Sequence, residues 1–149
     1  GKYRQDPTFF RTNGERVGRD GCRVPLPWEA DAGAANGFNT TGESWLPQPA
    51  SYRVFARNLQ EGIAGSTLEL YKRLLKERKA FGLGYGEFRW APEYQDKNTL
   101  AYINNGVLVL TNFTGDPVVV PAGEILVTTQ HDLGVERELE HDQTVWIKL

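Results

Sequence analysis

The sequence predicts a mixed architecture: an irregular first part that ends in one amphipathic helix, followed by an antiparallel all-β unit. Three observations carry this expectation. Residues 1 to 65 are rich in Gly, Pro, Asn and Thr and hold no sustained helical or strand period. The stretch "GSTLELYKRLLKERKAFGLG" has helical spacing between a start and a stop signal. From Gly84 onward, short runs rich in β-branched and aromatic residues alternate with turn residues.

The first part reads as one long loop region, with a short amphipathic helix expected around Tyr52 to Leu59. So long a stretch without regular structure is uncommon in a compact domain unless it is functional or held by a scaffold elsewhere. The strong helix is expected from Ser66 to Phe81. Ser66 and Glu69 form a capping box, in which each side chain satisfies an orphan N–H of the first turn. Leu68, Tyr71, Leu74, Leu75 and Arg78 make its apolar stripe, while Lys72, Arg73, Lys76 and Lys79 face water and complement the C-terminal dipole. Gly82 and Gly84 supply a left-handed stop. A boundary is placed near residue 82.

Beyond it, "GEFRWAPEY", "TLAYIN", "GVLVLTNF", "PVVVPAG", "EILVTT" and "TVWIKL" are the expected strands. Asn105-Gly106 fits a type I′ hairpin turn, because both central positions need positive φ. "VLVLT" is apolar at consecutive positions and so is expected to be covered on both faces. The helix has nothing in this chain to bury its stripe against except the β unit, and its partner is expected in a larger body upstream. The absence of methionine from the chain, even at position 1, likewise predicts a piece of something longer.

Charge excludes some partners. Lys and Arg number 17 against 19 Asp and Glu, a formal net charge of −2, so no overall field gathers phosphate backbones or an anionic membrane. No nucleic acid and no membrane is expected as a partner. No apolar run approaches the roughly 20 residues that cross a bilayer, and "GKYRQDPTFF" has no signal-peptide core. A soluble, cytoplasmic chain is expected. The single Cys22 rules out an intramolecular disulfide, and two histidines do not make a zinc site by themselves, so neither cofactor nor metal is expected. Next to Arg23, Cys22 is read either as a reactive thiol or, as expected here, as a small half-buried loop residue.

Several short stretches suggest chemistry. His131-Asp132 and His141-Asp142 are each read as polar turns, since no Ser, Cys or metal-ligand partner recurs at a useful spacing. "VERELEHD" is acidic at alternate positions and reads as a solvated loop or edge. Sequons begin at Asn39 and Asn112. The segment "GRDGCRVPLPWEAD" stands apart: Arg19, Asp20, Arg23 and Trp28 lie on a Pro-stiffened loop without period. Such a loop either presents a guanidinium fork to sugar hydroxyls and a flat face to a sugar ring, or is a structural ion-pair knot.

"QDPTFFRTNGERVGRDGCRVPLPWEAD", then "GFNTTGESWLPQP", then "STLELYKRLLKERKA" resemble the C-terminal third of α-glucosidases of the α-amylase family, in the branch with oligo-1,6-glucosidase and trehalose synthase. The resemblance covers essentially the whole chain. Its most specific element is the family's RD-x-x-R-[TV]-P-[ML]-x-W pattern, matched by residues 19 to 28. The resemblance implies a fragment of a (β/α)8 barrel, with residues 1 to 81 as the loop after the eighth strand plus the eighth helix, and residues 82 to 149 as a C-terminal antiparallel β-sandwich. It implies a retaining hydrolase of α-linked glucosides such as maltose or isomaltose oligosaccharides, whose catalytic carboxylates lie outside this chain. It gives no catalytic residue here; it assigns substrate binding to Arg19, which matches the arginine that holds the non-reducing-end glucose, and to Asp20 and Arg23 as loop-shaping residues that can also touch sugar. The implied partners are an α-glucoside oligosaccharide and the remainder of the barrel. "VPLPW" stands where many oligo-1,6-glucosidases have "TPMQW", a departure that bears on linkage preference. Two alternatives stay open: part of a trehalose synthase-like isomerase, and a free-standing sugar-binding module with Trp28, Trp45, Trp90 or Trp146 as stacking platforms.

Overall fold

The computed structural model describes residues 2 to 96 and 98 to 149. They fall into two compact units, one ending at Ile63 and the other running from Ala64 to Leu149.

The first unit is built almost without a core. Among the described residues its buried apolar ones are Ala30, Leu46 and Ala56, too few to drive folding by burial. A short helix, α1 (Pro7–Arg11), is capped by Asp6, whose side chain accepts the Thr8 N–H, and starts on a proline whose missing N–H costs nothing there. The rest is turns and hydrogen bonds. The N–H groups of Trp28 and Glu29 both donate to the Asn36 carbonyl, and Gln48 links the Asn36 side chain to the Pro25 carbonyl. Arg57 bridges Glu29 and Glu61. The helix expected around Tyr52 to Leu59 is absent. Two 3₁₀ turns, Ala50–Phe55 and Arg57–Leu59, stand there instead, broken by Ala56 in an extended conformation (φ −59°, ψ 143°).

The second unit opens with α2 (Thr67–Ala80), capped as expected by Ser66, whose hydroxyl accepts the Glu69 N–H at 3.3 Å. Among the described residues seven strands follow: β1 (Phe88–Trp90), β2 (Thr99–Asn104), β3 (Val107–Asn112), β4 (Val118–Val119), β5 (Glu124–Thr128), β6 (Glu138–Leu139) and β7 (Gln143–Lys148). Five form an antiparallel sheet in the order β1-β2-β3-β7-β5, and β4 pairs with β6 in a two-stranded ribbon. Asn105 and Gly106 both have positive φ (48° and 80°), as the hairpin between β2 and β3 demands.

Both faces of β3 are covered. On one side Leu108 and Leu110 pack with Ala101, Ile103, Val145 and Ile147, and Val120 and Leu139 of the ribbon segment close that core. On the other side Val107 lies with Leu126 and Val127 under Leu70 and Leu74 of α2. A bulge between Ile125 and Val127 interrupts the β5–β7 register, which lets the consecutive Leu126 and Val127 both reach the helix side. The domain is therefore a small antiparallel β-sheet unit, consistent with a β-sandwich, with one helix laid on its outer face.

Three features of this unit bear on the expectations. Compactness divides the chain before α2 and not at the change of period near residue 82, because Leu70 and Leu74 find apolar partners on the sheet. The stripe is also rotated: Leu70 and Leu74 face the sheet, while Tyr71 and Leu75 are 62% and 63% exposed. Finally, "VERELEHD" is more than a solvated edge. It contains β6, whose Leu139 is fully buried between the half-buried Glu138 and the exposed Glu140.

Candidate functional site

The motif loop of residues 19 to 28 is held by two buried carboxylates. Asp6 is 3% exposed and Asp20 is 4% exposed. Asp6 Oδ1 accepts the Thr8 N–H at 2.8 Å; Asp6 Oδ2 accepts the Arg19 N–H at 2.9 Å and sits 3.3 Å from the Arg23 guanidinium. In return, Asp20 Oδ2 accepts the N–H groups of Gln5 at 2.9 Å and Asp6 at 3.2 Å. Each aspartate thus grips the backbone beside the other. The close approach needs Gly18: at φ 71°, any Cβ there would lie 2.5 Å from the Asp6 carboxyl carbon.

The knot keeps Asp6 ionised. Its pKa is lowered from 3.8 to about 2, chiefly by the Arg19 backbone N–H, then by the bonds from Thr8, with the Arg23 charge adding to them against the opposing effect of burial. A carboxylate with several N–H donors and a guanidinium neighbour resists protonation because each favours the anion.

The sequence-predicted residues separate clearly. Asp20 and Arg23 are engaged within the knot, Asp20 through backbone donors and Arg23 through Asp6. Arg19 is held only by its backbone. Its side chain is exposed, and its guanidinium has no hydrogen bond or ion pair among the described residues. The two readings of this loop are therefore both realised, on different residues: a knot of Asp6, Asp20 and Arg23, and a free guanidinium at Arg19. Beside the knot lies a hollow of about 380 Å³ lined by Lys2, Tyr3, Arg4, Asp20, Val24 and Leu46. Asp20 Oδ1 is buried without a hydrogen-bond partner among the described residues.

Asp6 is the residue that sequence reasoning missed. The Asp-Pro pair was a readable cap-plus-first-turn signal for α1, but nothing in it announced a contact 13 residues away. Cys22 is exposed, contrary to the half-buried expectation, because the 3₁₀ turn Asp20–Arg23 points it outward with its thiol against the Arg19 carbonyl.

The other candidates carry little chemistry. Asp132 caps its own turn by accepting the Gly134 N–H, and His141 pairs with Asp142 at an exposed position. No group of three or more His, Cys, Asp or Glu fit to hold a metal occurs among the described residues. Asn112 is fully buried and its amide is used up in the core, whereas Asn39 is exposed. Trp28, Trp45 and Trp90 are exposed; Trp146 packs under α2. Trp90 stands edge-on to both Phe88 and Tyr102, an arrangement of mutual ring packing rather than a flat platform. No helix among the described residues is long and apolar enough to cross a membrane.

The chain is 38% identical over 76 residues, 51% of its length, to a probable α-glucosidase of Rhizobium meliloti (strain 1021). It is 30% identical over 107 residues, 68% of its length, to a salivary α-glucosidase of Aedes aegypti. In fold it is similar to the crystal structure of an α-glucosyl transfer enzyme, XgtA, with a TM-score of 0.72 and 26% identity over 98% of this chain. No protein-family model matches it. These likenesses place the chain in a glycoside-active enzyme family. Within that class it belongs to the α-glucosidases of the α-amylase family. It spans 13% and 18% of the two relatives' lengths and 29% of the solved chain.

Proposed function

We propose that the chain is a C-terminal part of a retaining α-glucosidase, and that its motif loop presents Arg19 to the non-reducing-end glucose of an α-linked substrate. The observation that carries this is the contrast inside the motif: Asp20 and Arg23 are spent on structure, while the Arg19 guanidinium is exposed and has no hydrogen bond or ion pair among the described residues. Planar donors of that kind bind vicinal sugar hydroxyls or their ring of acceptors well.

In this reading residues 1 to 81 are the loop and helix that end a (β/α)8 barrel, and residues 82 to 149 are the sandwich that follows. The coreless first unit and the exposed Tyr71 and Leu75 of α2 support it, because both leave apolar surface for a larger body. The orphan Asp20 Oδ1 supports it too: an unmet buried acceptor costs about 1–3 kcal/mol, and a donor from the rest of the protein would remove that cost.

The chain contributes binding and no chemistry. The nucleophilic carboxylate and the acid-base carboxyl of a retaining pair stand about 5 Å apart, and both belong to the rest of the barrel. Arg19 works by fixing the sugar ring against them, which raises the effective concentration of the reacting groups. The test is direct. Purified as a 149-residue chain free of other glucosidases, the protein should give no turnover of p-nitrophenyl α-glucoside. Measurable turnover would overturn the reading.

A second reading has one observation behind it, the likeness to an α-glucosyl transfer enzyme. Transfer and hydrolysis share the glycosyl-enzyme and differ in whether water or a sugar hydroxyl attacks it. Product analysis of the intact protein with maltose separates them: glucose alone marks hydrolysis, and longer or rearranged disaccharides mark transfer or isomerisation.

A further inference from the structure

We propose that Asp6 is the positioning residue for Arg19, setting where the sugar-binding guanidinium leaves the backbone. This rests on the reading of Arg19 given above. Asp6 lies outside the RD-x-x-R pattern, in the turn that starts α1, and yet its carboxylate bonds directly to the Arg19 N–H at 2.9 Å.

The geometry has three parts. Asp6 Oδ1 is fixed by the Thr8 N–H, so the carboxylate cannot rotate freely. Asp6 Oδ2 then grips both ends of the 3₁₀ turn Asp20–Arg23, through the Arg19 N–H before it and the Arg23 guanidinium at its end. The Asp6 N–H returns the contact to Asp20, which closes a loop of bonds through both strands of the knot. Among the described residues Arg19 has no other anchor outside its own turn: its carbonyl accepts from Cys22, and its guanidinium has no hydrogen bond or ion pair. Removing the Asp6 carboxylate therefore releases the Arg19 backbone while leaving the guanidinium itself intact. A misplacement of about 1 Å at a substrate-positioning group is enough to lower turnover by about a hundredfold.

The experiment is a double-mutant cycle in the intact α-glucosidase, with p-nitrophenyl α-glucoside as probe and thermal melting to establish that each variant is folded. Arg19→Ala is expected to lower kcat/KM by roughly tenfold to a hundredfold, the scale of charged hydrogen bonds. Asp6→Ala should lower it comparably, and the double variant should lose no more than Arg19→Ala alone, because Asp6 acts through Arg19. Asp6→Asn keeps one acceptor oxygen and the side-chain size, so it should fold where Asp6→Ala does not and fall between wild type and Arg19→Ala. A merely structural Asp6 would lower the melting temperature and leave kcat/KM of the folded enzyme alone. If Arg19→Ala is active as wild type, the reading of Arg19 fails. If Arg19→Ala is impaired but both Asp6 variants match wild type, or their losses add to it, the positioning role of Asp6 alone is overturned.

Discussion

Deep in the second unit, the Asn112 side-chain amide donates to the Leu139 carbonyl at 3.0 Å and so ties the end of β3 to β6. The same amide nitrogen also donates to the Asp116 carbonyl, while its oxygen accepts the Thr114 N–H and hydroxyl. One side chain therefore organises the turn after β3 and anchors the two-stranded ribbon to the five-stranded sheet. Asn112→Ala strips those groups of partners, and the Leu139 carbonyl it leaves is buried. A loss of about 1–3 kcal/mol is expected in urea unfolding. A change within about 0.5 kcal/mol would mean that the ribbon is held by Leu139 and Val120 burial alone.

The start of α2 makes a narrower prediction. Ser66 satisfies the Glu69 N–H, and Glu69 in turn pairs with Lys72 at 2.7 Å on the exposed side. Ser66→Ala should cost about 1 kcal/mol, against a few tenths for Ser66→Gly. Thermal melting of both variants checks the order, which would reverse if the alanine's helix propensity outweighed the cap.

These two sites show what the sequence could and could not disclose. Ser66 and Glu69 announce their helix because capping is local, and the hairpin at Asn105-Gly106 is legible for the same reason. The strands are legible from β-branched runs. Leu139 is not, because a lone leucine among glutamates carries no period until β4 is seen opposite it. Of the stripe expected on α2, Leu74 lies on the sheet while Tyr71 and Leu75 face outward, because the residues that cover the helix, Val107, Leu126 and Val127, are distant in sequence. At the site, the Arg19 motif is a local pattern and could be read. The reciprocal grip of Asp6 and Asp20 joins segments 14 residues apart, and only the fold brings them together.

The uncovered side of α2 gives a test of the proposed larger body. Leu74 packs on the sheet and Leu75, its neighbour, faces outward. Leu74→Ala should destabilise the 149-residue chain, and Leu75→Lys should change it by no more than about 0.5 kcal/mol while making it more soluble. In the intact α-glucosidase, where that side is proposed to lie against the barrel, Leu75→Lys should become as damaging as Leu74→Ala, because it would bury a charge. Equal tolerance of Leu75→Lys in both would argue that nothing covers this helix.

The knot at Asp6 makes the loop sensitive to acid, and the sign follows from its pKa. The folded value, about 2, lies below the ordinary 3.8, so protonation is resisted in the folded loop more than in the unfolded chain. The stabilisation is complete above the ordinary value and disappears as the pH falls through the folded one. As the pH falls through about 2, the Arg19 N–H and the Arg23 guanidinium lose their charged acceptor. Followed by NMR, the Asp6 carboxyl should titrate near 2, and the Arg19 amide resonance should move with the same midpoint. Amides of Leu108 and Leu110, inside the sheet, should stay in place through that step, since they pack among apolar side chains and Asp6 belongs to the other unit. A midpoint near 3.8 would mean that the Arg19 N–H does not bond Asp6 in solution, and the free placement of the guanidinium would then need another cause.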